Sequence, residues 1–281
     1  MKVLFVNKFI DRGEIMLNIF NFSLQDATDT VAKEGYKLAE MVANEAGEME
    51  MVVDMVGVSF WIATAIMATG ALFFFMERST VKPGWQTSLT VAALVCFVAF
   101  WHYLYMREVW VETSTSPTVY RYIDWLVTVP MQIVEFYLIL SAVVAVSLGV
   151  FWNLLIASLV MLVFGFLGEA NMMDPMIAFV VSMAGWLYII YYIFAGEAAK
   201  LKDSAGNEAL SFAFNGIKWI VTIGWAIYPI GYALAYLGGG DVVDEKTLNI
   251  VYNLADLINK FLFGLVIWYA AMMDSGVRKG S

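Results

Sequence analysis

Apolar runs, each long enough for a membrane crossing, alternate with short polar breaks between residues 56 and 273. A spanning helix needs about 20 mostly apolar residues. Seven stretches meet that length: 56–77, 86–108, 118–143, 150–168, 174–196, 209–237 and 247–273. The breaks between them are short, which predicts one compact bundle of antiparallel neighbours. Trp110, Trp152 and Tyr236 fall near the ends of these stretches, where aromatic side chains form interfacial belts. The pattern predicts an all-α membrane protein, a bundle of seven transmembrane helices, with no internal repeat or low-complexity tract.

Residues 1–52 differ in kind and are expected to form an N-terminal extracellular or leader segment. The opening MKVLFVNKFIDRGE is too short in its apolar run, and too broken by Asn7, Lys8, Asp11 and Arg12, for a good signal peptide. Lys33 to Met51 reads as an amphipathic helix on the membrane surface. Residues 53–275 hold the helical domain, and 276–281 a short cytoplasmic tail. Basic residues set orientation. With the N-terminus outside, the inner segments hold Arg78, Lys82, Lys200, Lys202, Arg278 and Lys279. The outer ones hold Arg107 and Lys246 among several carboxylates. The expected location is the inner cell membrane, crossed many times, with the N-terminus out and the C-terminus cytoplasmic.

Composition agrees. The chain has 281 residues, 61% of them hydrophobic, and a mean hydropathy of +0.74. A net charge of −9 argues against a nucleic-acid partner. A single cysteine, Cys96, leaves no disulfide framework and no cysteine-based metal site within the chain.

The informative residues are the charged ones inside apolar helices, where ionisable groups are costly and usually functional. The stretch RYIDWLVTVPMQIVE, residues 121–135, carries Arg121, Asp124 and Glu135. At about 100° per residue, Arg121, Thr128 and Glu135 fall within roughly 60° of Asp124. Asp124 and Glu135 lie about 16 Å apart along the axis, near half the membrane core. One face therefore offers an arginine on the outer side, a carboxyl near the middle and another deeper in, as a stepped proton path would. In the last helix, Asp256 and Lys260 are one turn apart on one face. A lysine there must be paired, deprotonated or covalently modified. It reads either as a structural ion pair or as a Schiff-base lysine condensed with an aldehyde, with Asp124 and Asp256 as counter-ions. His102, the only histidine, lies in the second helix, either as a hydrogen-bonded core residue or as a partner for Asp124.

Together these residues resemble a family. FWHYLYMREVW, SPTVYRYIDWLVTVP, EFYLIL, LVMLVFG, GWAIYPIG and NLADLINK look like a microbial rhodopsin of the proteorhodopsin group, over about 56–273. The resemblance implies a retinal pocket within the bundle, with all-trans retinal held covalently at Lys260 as a protonated Schiff base. It implies Asp124 as proton acceptor and primary counter-ion, Asp256 as second counter-ion and Glu135 as the inner proton donor. Thr128 completes the Asp–Thr–Glu pattern of outward proton pumps; sodium pumps of the superfamily carry asparagine, aspartate and glutamine instead. Arg121 would organise the outer half-channel. His102 would bond to Asp124 and meet a neighbouring protomer's tryptophan, for which Trp61 is the matching position. Trp125, Trp225, Tyr228 and Pro229 would wall the pocket. Gln132 falls at the family's colour switch, where glutamine marks blue-absorbing members. Pro130 and Pro229 should interrupt backbone bonding in their helices. The implied partners are membrane lipid, the transported proton and further copies in a pentamer or hexamer.

The implied activity is light-driven outward proton transport, which is not enzymatic. Three rivals stand beside it. A sensory photoreceptor would share the retinal site and signal to a partner, but such proteins often lack a carboxylic donor like Glu135. The second is a light-gated or light-driven carrier of another ion; Asp124 argues against chloride, since a fixed anion occupies its place. A seven-helix receptor or transporter without a chromophore would stay colourless when given retinal.

Overall fold

The computed structural model describes residues 54–237 and 243–277, together with Asp29, Lys33 and Glu34. The chain divides into two units, Met1–Val53 and Asp54–Ser281. The surface helix expected from Lys33 to Met51 lies outside the described residues, apart from Lys33 and Glu34, which are helical.

Among the described residues of the second unit, every regular element is helical. The helices are α1 (Met55–Glu77), α2 (Pro83–Thr113), α3 (Thr118–Ser141), α4 (Leu148–Glu169) and α5 (Pro175–Phe194). After these come α6 (Glu197–Ala205), α7 (Glu208–Trp219), α8 (Ile227–Tyr232), α9 (Glu245–Asp256) and α10 (Phe263–Ser275). Joined by their linking turns they make seven spans long and apolar enough to cross a membrane, the last three being Pro175–Ala205, Glu208–Leu237 and Glu245–Ser275. The second span, Pro83–Thr113, is longer than the apolar stretch 86–108 and runs on past it at both ends.

Local chemistry sets the ends. Asp54 caps α1 by accepting from the Val56 amide at 3.1 Å. Asp174 caps α5 by accepting from Met176 and Ile177 at 3.0 Å, with Pro175 in the first turn, where a missing N–H costs nothing. Gly276 ends α10 in the left-handed region, at φ +73. The outward surface keeps Leu72, Phe75, Leu148 and Ile223 more than half exposed, as hydrocarbon favours and water does not. Consecutive spans pack side by side, and the seventh closes the bundle against the first, second and sixth.

The sixth and seventh spans are not regular α-helices. Ile220–Gly224, Ala233–Leu237 and Leu257–Leu262 are π-helical turns. Such turns free backbone carbonyls that must find donors inside the bundle. Trp186 donates from Nε1 to the Val221 carbonyl at 3.0 Å. Asn259 donates from Nδ2 to the Gly224 carbonyl, also at 3.0 Å. Gly224 must be glycine here, since a Cβ would stand 2.1 Å from Asn259 Oδ1.

Two expectations need correction. Trp110 is not a belt residue: it is 4% exposed and donates from Nε1 to Asp54 at 3.1 Å, because α2 continues past it to Thr113 and encloses it. Arg107 is not a loop charge: it is buried within α2, its guanidinium 4.9 Å from the centre of the Trp61 ring. Pro130 lies inside α3, which runs from Thr118 to Ser141 and lacks one backbone N–H at that position.

Gly185 lets α4 and α5 meet closely. A Cβ there would lie 3.0 Å from the Ala157 carbonyl oxygen and 3.1 Å from the Met161 nitrogen, both backbone atoms that cannot turn away. Gly185→Val is expected to destabilise the bundle by about 1–3 kcal/mol, read as a lower thermal midpoint in detergent.

Candidate functional site

Periodicity on α3 turns a polar stripe into the bundle. Arg121, Asp124, Thr128, Gln132 and Glu135 are each at most 3% exposed. Opposite this stripe, the π turn Leu257–Leu262 carries Lys260, which is 2% exposed. Its ammonium donates to Asp124 Oδ2 and, at 2.6 Å, to Asp256 Oδ2. A buried ammonium survives only with such pairing, because its desolvation costs several kcal/mol even after relaxation.

The two carboxylates are served unequally. Asp256 also accepts from the Tyr103 hydroxyl at 2.8 Å and from the Tyr228 hydroxyl. Asp124 Oδ1 has no hydrogen bond among the described residues. Its nearest polar neighbour is His102 Nδ1 at 3.5 Å, which sits 2.9 Å from the Val98 carbonyl. Both of those neighbours are acceptors, so Nδ1 is the ring nitrogen that carries the proton. Thr128 Oγ1 donates to the Asp124 backbone carbonyl at 2.9 Å and leaves the carboxylate alone.

Beside Lys260 lies a cavity walled by aromatic rings. Trp125, Gln132, Trp225, Tyr228 and Pro229, all singled out in the sequence, line it. Trp186 and Phe179 line it too and were not expected. Trp125 meets Tyr228 edge to face, with ring centres 5.0 Å apart. Gln132 donates from Nε2 to the Asn259 carbonyl, next to Lys260 in the π turn. Its amide is thus fixed against the lysine's own backbone.

On one side of the ammonium, Arg121 donates from both terminal nitrogens to Asn253 Oδ1 at 3.1 Å, and from Nη2 to Asn249 at 2.7 Å. Asn253 in turn donates to Ser59 at 2.9 Å. On the other side, Glu135 is 1% exposed and neither carboxyl oxygen has a hydrogen bond among the described residues. Ser88 of α2 is the polar side chain beside it.

The fold and this geometry invite comparison with known proteins. A family model described as bacteriorhodopsin-like protein matches residues 54–273. The chain belongs to the bacteriorhodopsin-like family. It is 52% identical to the blue-light absorbing proteorhodopsin of Gamma-proteobacterium Hot 75m4, over 83% of this chain and 92% of that one. It is 51% identical to the green-light absorbing proteorhodopsin of Gamma-proteobacterium EBAC31A08, over 79% and 88%. The crystal structure of the blue light-absorbing proteorhodopsin from Med12 is similar at a TM-score of 0.68 and 60% identity, over 78% of this chain and 98% of that one.

Sequence reasoning missed Tyr103, Asn249, Asn253 and Asn259. Asn249, Asn253 and Asn259 share the last span with Asp256 and Lys260, and polar residues at three- and four-residue steps in an apolar helix were the available signal. Asn253→Leu removes the acceptor that both Arg121 nitrogens share. It is expected to lower stability by about 1–3 kcal/mol, the cost of unpaired buried donors. Thermal unfolding followed by tryptophan fluorescence checks this.

Proposed function

We propose that the protein is a light-driven outward proton pump, absorbing in the blue, with retinal bound covalently through Lys260. The observation that carries this reading is the buried Lys260 ammonium held between Asp124 and Asp256 at the wall of an aromatic cavity. The cavity suits a long apolar aldehyde. Its walls are rings, and Gly165 leaves room beside them, since a Cβ there would come 3.1 Å from the Tyr122 hydroxyl. Bound as a Schiff base, retinal would supply light absorption, and the imine nitrogen, Nζ of Lys260, would carry the proton that can be displaced.

The chain's own residues supply the proton path. Asp124 accepts the proton that leaves Nζ of Lys260. It suits this role better than Asp256, whose anion keeps two tyrosine hydroxyl donors, while Asp124 Oδ1 faces only the longer His102 contact at 3.5 Å. Once Asp124 is neutral, Arg121 and its asparagine partners hold positive charge on the outer side and disfavour the proton's return there as a cation. Glu135 then restores the proton to Nζ from the opposite side, and its lack of partners keeps it in the neutral, proton-bearing form until that step. Glu135 is refilled from the cytoplasm. This direction rests on the basic residues of the short loops, which put the N-terminus outside. We assign the protein to the inner membrane as a pentamer or hexamer, with Trp61 the expected contact to the next protomer.

Illuminated cells expressing the protein are expected to acidify their medium, with the signal abolished by a protonophore. Lys260→Ala should lose both the visible band and the acidification; a pump that keeps working without this amine would end the reading. Glu135→Gln should slow the last phase of the photocycle roughly a hundredfold, the usual worth of a positioned proton donor. Added azide should restore the speed, as flash spectroscopy can follow. Gln132→Leu should move the absorption band to longer wavelength, because it removes a fixed amide dipole from the cavity wall; an unmoved band would refute the tuning role.

A further inference from the structure

At the Glu135 end of the bundle, one carboxylate gathers three spans. Asp274, in the last turn of α10, accepts from Lys82 Nζ at 3.2 Å and from Trp85 Nε1 at 3.1 Å through Oδ2. Through Oδ1 it accepts from Asn207 Nδ2 at 3.0 Å. Asn207 is also the cap of α7, accepting from the Leu210 amide at 2.8 Å. Next to Asp274, the Lys82 amide donates to Ser275 Oγ at 2.9 Å. The starts of α2 and α7 are therefore both tied to the end of α10 at one side chain.

What lies beneath this knot gives it a purpose. Lys82 meets water, with 55% of its side chain exposed, while Asp274 is 17% exposed. Trp85, only 1% exposed, is among the largest fully buried side chains of the protein. One turn further on the same face of α2 is Ser88, fully buried, its hydroxyl without a hydrogen bond among the described residues and set beside Glu135. From water inward the order is Lys82, Asp274, Trp85, Ser88, Glu135. The buried indole follows the surface carboxylate in this order, ahead of Ser88 on the same helix, and its one N–H is held by that carboxylate.

We propose that Asp274 is a latch that holds Trp85 and the start of α7 shut over Glu135, so that its release sets the rate at which Glu135 is refilled. This rests on the pump reading given above. Asp274 is a positioning residue: it orients the indole and fastens α7, and it does not carry the proton itself. An open path at this end while Nζ is deprotonated is needed for refilling, and a closed one at other times prevents leakage. A set of charge-assisted hydrogen bonds can be broken and remade, whereas a packed apolar seal would have to be rebuilt each turn.

Two variants test this in full-length protein reconstituted in lipid. Asp274→Asn weakens all three bonds, and Trp85→Phe keeps a ring while removing its donor. In both, the recovery of Glu135 after a flash should accelerate by roughly tenfold, the worth of one hydrogen bond to a charged group. The position of the visible band should not move, since neither residue lines the cavity. In the dark, hydrogen exchange should rise in residues 83–89 and 208–213 of Asp274→Asn. Asp274→Glu should restore both slow recovery and slow exchange. A recovery that is unchanged or slower would overturn the latch, a slower one marking Asp274 as a proton collector instead. Unchanged exchange would overturn it as well. If the unsubstituted protein shows no photocycle at all, the pump reading fails, and the exchange measurement alone still decides whether this carboxylate fastens the helices.

Discussion

An ammonium group inside a low-dielectric bundle is the constraint on which the rest of this structure depends. Lys260 cannot sit between apolar helices unless negative charge comes to meet it from more than one direction. Asp256 comes from its own helix, one turn away, and Asp124 from α3 across the bundle. That requirement sets how α3 is rotated. Once Asp124 faces Lys260, the heptad-like spacing turns Arg121, Thr128, Gln132 and Glu135 inward with it.

The second requirement is backbone. A regular helix would have satisfied all its carbonyls within itself and offered none to its neighbours. The π turns in the sixth and seventh spans release carbonyls at Val221, Gly224 and Asn259, and Trp186, Asn259 and Gln132 answer them. Asn259 also donates to the Tyr228 hydroxyl at 3.0 Å, and Tyr228 donates to Asp256. The wall of the cavity, the counter-ion and the backbone carrying Lys260 thus form one connected network. A change at any member is felt at the ammonium, which is how a site in hydrocarbon can be both rigid and tunable.

The two ends of the polar stripe differ in kind. Around Arg121 the side chains are amides and hydroxyls that bond to one another, an environment suited to a charge that stays. Around Glu135 neither carboxyl oxygen has a hydrogen bond among the described residues, and Ser88 is the polar side chain beside it. Asp124 stands between them with one oxygen on the ammonium and the other facing His102 Nδ1 at 3.5 Å. The stripe therefore has a hydrogen-bonded charged end and an end where a carboxyl lacks hydrogen bonds among the described residues.

Much of this was legible from the residues alone, because hydrocarbon is an unforgiving solvent. It demands about 20 apolar residues per crossing and makes every charge within them conspicuous. The seven spans, the shared face of α3 and the pairing of Asp256 with Lys260 follow from length and helical spacing, which are local properties. What tertiary structure alone decided were contacts across helices. The π turns are the plainest example: nothing in LINKFL or IVTIG marks them, and partners elsewhere donate to the carbonyls they free. The asparagines around Arg121 looked like ordinary polar residues of an apolar helix until the arginine was brought to them. Trp110 resembled an interfacial residue by its place near a helix end, and proved to be enclosed because α2 runs on past it. Spacing along one helix determines which residues share a face; only the packing of seven helices determines what each face meets.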